Sequence, residues 1–105
     1  MEKLAFTFDG GKPAAGTRRP CIVGVVASGN LEVLIEPAAT GRGCAIEVST
    51  AAQGFGATWQ AVMTEFFSRH PLAGVRISIN DAGATPAIVS LRLDQAVEAY
   101  VHGDA

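Results

Sequence analysis

The chain has 105 residues, 49% of them hydrophobic and 17% charged, with a formal net charge of −2. That length suits one small domain, residues 1–105, built around a single core. Lys and Arg are scattered, with one adjacent pair at Arg18-Arg19 and no basic stripe carrying interleaved aromatics, which argues against nucleic acid as a partner. No apolar stretch is long enough to span a bilayer, and Met1-Glu2-Lys3-Leu4-Ala5-Phe6 has no basic flank ahead of an apolar signal core. A cytoplasmic protein without a membrane partner is the expectation.

Leu4-Ala5-Phe6-Thr7-Phe8 alternates and reads as a strand, and Asp9-Gly10-Gly11-Lys12-Pro13 opens a loop that runs to about Arg19. Strands near residues 20–28 and 31–36 follow, joined by Gly29-Asn30, a pair that tolerates the positive φ of tight hairpin turns. Pro37 ends the second of them, because it cannot donate to a ladder. Gly41-Arg42-Gly43 turns the chain into a fourth strand, Cys44-Ala45-Ile46-Glu47-Val48-Ser49, with Cys44, Ile46 and Val48 on one face.

After Gly54-Phe55-Gly56, the residues Trp59, Val62, Met63, Phe66 and Phe67 form one apolar stripe at helical period. Arg69 and His70 suit its last turn, and Pro71 stops it. Val75, Ile77 and Ile79 alternate with Arg76, Ser78 and Asn80 as a fifth strand, and Asp81-Ala82-Gly83 is a turn. Thr85-Pro86 reads as an N-cap followed by proline at the first helical position. Val89, Leu93, Ala96, Val97 and Tyr100 then hold helical spacing to about Val101, although Ile88-Val89-Ser90-Leu91 also fits the start of a strand. The tail 102–105 is expected to fray. The order β-β-β-β-α-β-α predicts an α+β two-layer sandwich, a mostly antiparallel five-stranded sheet with two helices on one face.

A two-residue turn at Gly29-Asn30 sets Ser28 opposite Leu31, Val26 opposite Val33 and Gly24 opposite Ile35. Ile22, Val26, Leu31, Val33 and Ile35 would then share the core face with Ser28, leaving Val23, Val25, Leu34, Glu32 and Glu36 on the wet face. Ser28 would sit at the rim, held by two strands beside an accessible turn. If the fourth strand pairs with the third, Ser49-Thr50 and the N-terminus of the first helix return to the Ser28 end, where free N–H groups favour phosphate. Arg18, Arg19 and Arg42 would lie roughly 25 Å away at 3.3 Å per residue.

Little else carries chemistry. Cys21 and Cys44 sit in apolar strand-like runs and read as buried thiols, without a CxxC. No HExxH, paired histidines or acidic cluster suggests a metal, and no Gly-x-Ser-x-Gly elbow surrounds Ser28. The Gly-rich segments match neither a P-loop nor a dinucleotide fingerprint. His70 suits a helix end, His102 lies in the tail, and Asp94 and Glu98, four apart, suit a solvated helix face. Taken by itself, Ser28 is also an ordinary hairpin serine.

The run Val26-Ala27-Ser28-Gly29-Asn30-Leu31-Glu32-Val33-Leu34-Ile35-Glu36-Pro37 resembles the acyl carrier (delta) subunits of bacterial malonate decarboxylase. The resemblance covers nearly the whole chain, including Glu2-Lys3-Leu4-Ala5-Phe6, Trp59-Gln60-Ala61, Asp81-Ala82-Gly83-Ala84-Thr85-Pro86 and Leu91-Arg92-Leu93-Asp94-Gln95-Ala96. The carrier subunit of citrate lyase is a more distant likeness, through its Ser-Gly-acidic turn. The resemblance implies a non-catalytic subunit whose serine, Ser28 here, carries 2'-(5''-phosphoribosyl)-3'-dephospho-CoA through a phosphodiester, with Gly29 and Asn30 forming the turn. It implies that the thiol of that arm bears acetyl, exchanged for malonyl, and that decarboxylation occurs on partner subunits. The implied partners are the acyl-transferase and decarboxylase subunits, a malonyl transferase and a prosthetic-group transferase. Asn30 departs from the Ser-Gly-Asp usual in the family but suits a turn. The Asp-Ser-Leu helix start of four-helix acyl carriers is absent, so ordinary phosphopantetheine is not expected. Two alternatives stay open: a citrate-lyase-type carrier, and an unmodified binding or structural subunit. A stand-alone enzyme is disfavoured, since no base pairs with Ser28 in sequence.

Overall fold

The computed structural model describes residues 1–13, 20–25, 28–38 and 43–102, with the backbone alone at 13, 21, 24, 25 and 28–30. Among these residues the elements in chain order are β1 (Glu2–Phe8), β2 (Lys12–Pro13), β3 (Cys21–Val25), β4 (Ser28–Pro37), β5 (Cys44–Thr50), α1 (Gly56–Arg69), β6 (Leu72–Ala73), β7 (Val75–Asp81) and α2 (Pro86–His102). β1, β3, β4, β5 and β7 make one sheet in the order β1-β5-β7-β4-β3. Its pairs are antiparallel except β5 with β7, which run parallel. The fold is the expected α+β sheet-and-helix layer, mostly antiparallel and five-stranded.

The sheet is two-sided because its strands alternate. Leu31, Val33 and Ile35 of β4, Cys44, Ile46 and Val48 of β5, and Val75, Ile77 and Ile79 of β7 are all buried on one face. Leu4, Phe6 and Phe8 of β1 pack half-buried against the same core. Both helices cover that face. Trp59, Met63 and Phe66 of α1 and Val89, Leu93, Ala96, Val97 and Tyr100 of α2 point into it, with Val62 and Phe67 half-buried alongside. Phe67 stacks on Phe8 with ring centroids 5.0 Å apart, tying α1 to β1. On the opposite face Ala5, Glu47 and Arg76 are exposed.

Both helix boundaries follow local chemistry. The N–H of His70 donates to the Phe66 carbonyl at 2.9 Å and closes α1 just before Pro71. The Thr85 hydroxyl accepts from the Ile88 N–H at 3.3 Å, so the segment at Ile88–Leu91 is helix and not strand. A capped start and five apolar positions at helical spacing outweigh four residues of moderate strand preference.

Three expectations need correction. β5 does not pair with β4: β7 lies between them, because α1 carries the chain back over the sheet and lays β7 parallel beside β5. The loop after β1 and the segment after Pro71 meet in a two-residue parallel ladder, β2 with β6, where the Lys12 N–H donates to the Pro71 carbonyl at 2.9 Å. A Cβ on Gly11 would lie 2.6 Å from the Leu72 carbonyl oxygen, so this close approach requires glycine.

The third correction concerns the hairpin. Gly29 and Asn30 are not its turn; they continue β4, which begins at Ser28, and Val25 pairs with Ser28. The strands therefore join through residues 26 and 27, outside the described residues. Val23, not residue 26, faces Val33, and the register shifts between Val23 and Val25. This is an odd offset from the expected pairing, so the faces of β3 exchange. Val23 packs on the core and Ile22 is 58% exposed. The extra residues of this irregularity are on β4, where five steps, Val33 to Ser28, face two on β3, Val23 to Val25. Arg18, Arg19, Arg42 and the tail 103–105 lie outside the described residues.

Candidate functional site

Ser28 is the first residue of β4, and its backbone is fixed by pairing with Val25. Its side chain, like those of Gly29 and Asn30, is outside the described set, so the expected core-facing row ending at Ser28 stays untested. The end of the sheet to which it belongs is well defined. Leu31 pairs with Asp81, Asp81 with Thr50, and Thr50 with Glu2, so four strands reach one level there. Ser28 lies three residues from Leu31, at most about 10 Å past that level, and the register shift of β4 against β3 falls between them. The close of β5 thus does return to the Ser28 end, two strands away instead of one.

Asp81 organises this end. It was expected in a turn, but it is the last residue of β7 and only 5% exposed. Its Oδ2 accepts from the fully buried Thr50 hydroxyl at 2.7 Å, and its Oδ1 accepts from the Ala84 N–H at 2.8 Å. The Thr50 Oγ1 in turn accepts from the Ala52 N–H at 3.1 Å. One buried pair therefore fixes both the loop leading to α1 and the loop leading to α2. Extending the alternation Val75, Ile77, Ile79 by two residues would have found Asp81 on the core face.

Between those loops lies a cleft of about 430 Å³. Phe55, Trp59 and Val62 wall it on the α1 side, Ala84, Pro86 and Val89 on the α2 side, and Asp81 lies at its base. Phe55 is the residue preceding α1; no side chain caps the helix there and its first turn carries no acid. The Glu2 carboxylate, from β1, accepts from the Gly54 N–H at 3.1 Å, so one negative charge already stands just ahead of this helix start. The sequence pointed to the N-terminus of α1 at this end but not to α2, whose start completes the cleft.

A cluster of ion-paired residues stands at the other end. Arg69 reaches Glu65 at 2.7 Å and Asp94 at 3.0 Å, and His70 Nε2 lies 2.9 Å from the same Asp94 oxygen. Asp94 is thus no free solvated residue: it joins α2 to the end of α1. Partial burial works against its ionisation, but the hydrogen bonds and charges of Arg69 and His70 outweigh this and hold its carboxyl below the ordinary value. His102 lies 3.4 Å from Glu98 near the end of α2. Cys44 is fully buried, which pushes its thiol up to about 11. Among the described residues no helix is long and apolar enough to cross a membrane.

Comparison with known proteins adds what the geometry alone does not. The sequence profile of the malonate decarboxylase delta subunit (MdcD) matches residues 18–100. The malonate decarboxylase acyl carrier protein of Stenotrophomonas maltophilia (strain R551-3) is 60% identical, over 98% of this chain and 97% of that protein. The protein of the same description from Burkholderia cepacia is 62% identical, over 91% of this chain and 87% of its own length. Among solved structures, a chain of a Pseudomonas malonate decarboxylase hetero-tetramer in complex with malonate superposes with a TM-score of 0.79 at 42% identity. That match covers 93% of this chain and 97% of the other.

Proposed function

This chain belongs to the malonate decarboxylase delta subunit family of acyl carrier proteins, and from that premise we propose that it carries its acyl group on a 2'-(5''-phosphoribosyl)-3'-dephospho-CoA arm joined to Ser28. The observation that carries this reading is the identity of 60% over 98% of the chain to an acyl carrier protein of malonate decarboxylase. The solved hetero-tetramer supports a multi-subunit setting, in which acyl-transferase and decarboxylase subunits do the chemistry and a prosthetic-group transferase loads the serine. The same comparisons favour malonate decarboxylase over a citrate-lyase-type carrier.

The residues at the Ser28 end suit such a group. A serine supplies the hydroxyl for a phosphodiester. The start of α1 offers free N–H groups to a phosphate, set against the one carboxylate of Glu2 at the Gly54 N–H. Both oxygens of Asp81 are already engaged within the protein. When bound, the arm supplies a thiol that holds the acyl group as a thioester. The chain's own part is to fix the backbone of Ser28 through β3 and β4, and to hold the flanking loops through Thr50 and Asp81. Tethering then raises the effective concentration of the acyl group at successive partner sites. Neither histidine stands near this end: α1 alone, at 14 residues, spans about 21 Å between the cleft and His70.

The test is intact mass with peptide mapping of protein coexpressed with its prosthetic-group transferase. The expected result is a phosphoribosyl-dephospho-CoA increment on the Ser28 peptide. Ser28→Ala should fold with stability within about 0.5 kcal/mol of wild type and show no increment. Loading of the Ser28→Ala variant, or an unmodified Ser28 beside an active transferase, would refute the assignment.

A further inference from the structure

We propose that the cleft between the starts of α1 and α2 is the resting site for the adenine base of the arm on Ser28. This rests on the arm assignment above and adds to it a binding site within the carrier itself. Three observations converge on that occupant.

The first is place. Asp81, in the lining of the cleft, pairs with Leu31, three residues from Ser28, so the anchor and the cleft share one end of the sheet within about 10 Å along the strand. In the arm, a ribose phosphate joins the serine to the adenosine, so the base is the first large group after the linkage. It is the part of the arm that can reach a site this close. The thiol is at the far end and has to reach partner subunits.

The second is shape and surface. A volume of about 430 Å³ falls at the small end of ligand-sized cavities, about 300–1,000 Å³. Its α1 wall is Phe55, a large aromatic side chain 53% exposed, backed in the lining by Trp59, which is 6% exposed. Aromatic walls accept a flat heteroaromatic ring by stacking. The third is charge. The start of α1, without a side-chain cap, sets free N–H groups beside the cleft as donors to the phosphates attached to the adenosine, with the Glu2 carboxylate on the Gly54 N–H as the opposing charge. Holding the base there shortens the free tether to its pantetheine portion. The thiol then sweeps a smaller volume, and its effective concentration at a docked partner rises.

The chain has a single tryptophan, Trp59, in the wall of the cleft, so its emission reports on occupancy. The experiment compares apo and holo protein, the latter verified by mass to carry the arm on Ser28. Trp59 emission is expected to fall on loading, as the base stacks on Phe55 and fills the cleft that the indole lines. Nuclear Overhauser contacts should join adenine H2 and H8 to the ring protons of Phe55 and Trp59. Phe55→Ala, at an exposed position, should still load at Ser28 by mass but regain most of the apo emission. Loaded protein with unchanged Trp59 emission and no adenine contacts would overturn this inference and leave the arm assignment standing. An unmodified Ser28 beside an active transferase would overturn both.

Discussion

Asp81 is the residue on which the Ser28 end of the molecule depends. Asp81→Ala removes the acceptor of two hydrogen bonds and strands the fully buried Thr50 hydroxyl. The expected cost is about 2–3 kcal/mol, read by urea denaturation; a loss below about 0.5 kcal/mol would mean that the pair contributes no net stability. Two signals at this residue pointed different ways in the sequence. Asp-Ala-Gly is a turn signature, while the alternation of Val75, Ile77 and Ile79 continues to position 81. Both are realised, since Asp81 ends β7 on the core face and also accepts from Ala84 in the turn that follows. Ser28 differs in kind. Nothing local separates it from any other serine near a hairpin, and only likeness to carrier proteins singles it out.

The helices were legible because their apolar positions recur at one period. All five positions expected to face inward on α2 are buried, and on α1 three are buried and two half-buried. The register of β3 was not legible. Cys21-Ile22-Val23-Gly24-Val25-Val26 is apolar almost throughout, so it has no alternation to choose between pairings. β4 is pinned from its other side by β7, and β3 settles against it with a register shift whose extra residues lie on β4, between Ser28 and Val33. That register can be tested by cross-linking in a Cys21→Ser background. Ile22 and Leu34 face each other on the open side of the sheet, within reach of a disulfide. The double variant Ile22→Cys/Leu34→Cys should therefore oxidise readily, whereas Val25→Cys/Leu34→Cys, the pair implied by a Gly29-Asn30 turn, should not. The opposite pattern on non-reducing gels would restore the turn at Gly29-Asn30.

At the scale of the whole molecule the two ends differ in character. One has an aromatic cleft beside a helix start that no side chain caps; the other has a charged cluster centred on Asp94. This polarity was hidden in the sequence, because the cleft is assembled from residues 52–62 and 81–89, which meet only in the folded chain. Asp94 gives the far end a pH dependence whose sign is fixed. Its carboxyl titrates below its ordinary value in the folded protein, so its contribution is present above the unfolded pKa, about 3.9. That contribution is lost as pH falls through the lower, folded value. Asp94→Ala should therefore cost about 0.2–1 kcal/mol near neutrality, as a partly exposed ion-pair cluster does, and progressively less below about pH 4. Thermal denaturation of both proteins across that range would check it; a difference that grows on acidification would contradict the assignment of Asp94 as the anchor.

The central position of β7 also bears on how the protein comes into being. β1 is synthesised first, yet its partner β5 ends at residue 50, and β5 and β4 are joined only through β7, which is complete at residue 81. A growing chain therefore carries four strands of this sheet as two separate pairs, β1 with β5 and β3 with β4, with nothing to join them until Asp81 has emerged. Such long-range pairing is slow, and unpaired edges are prone to aggregate while it is pending. Assembly of the sheet is in effect a checkpoint on length: the layer that orders the Ser28 end cannot close on a chain that stops before β7.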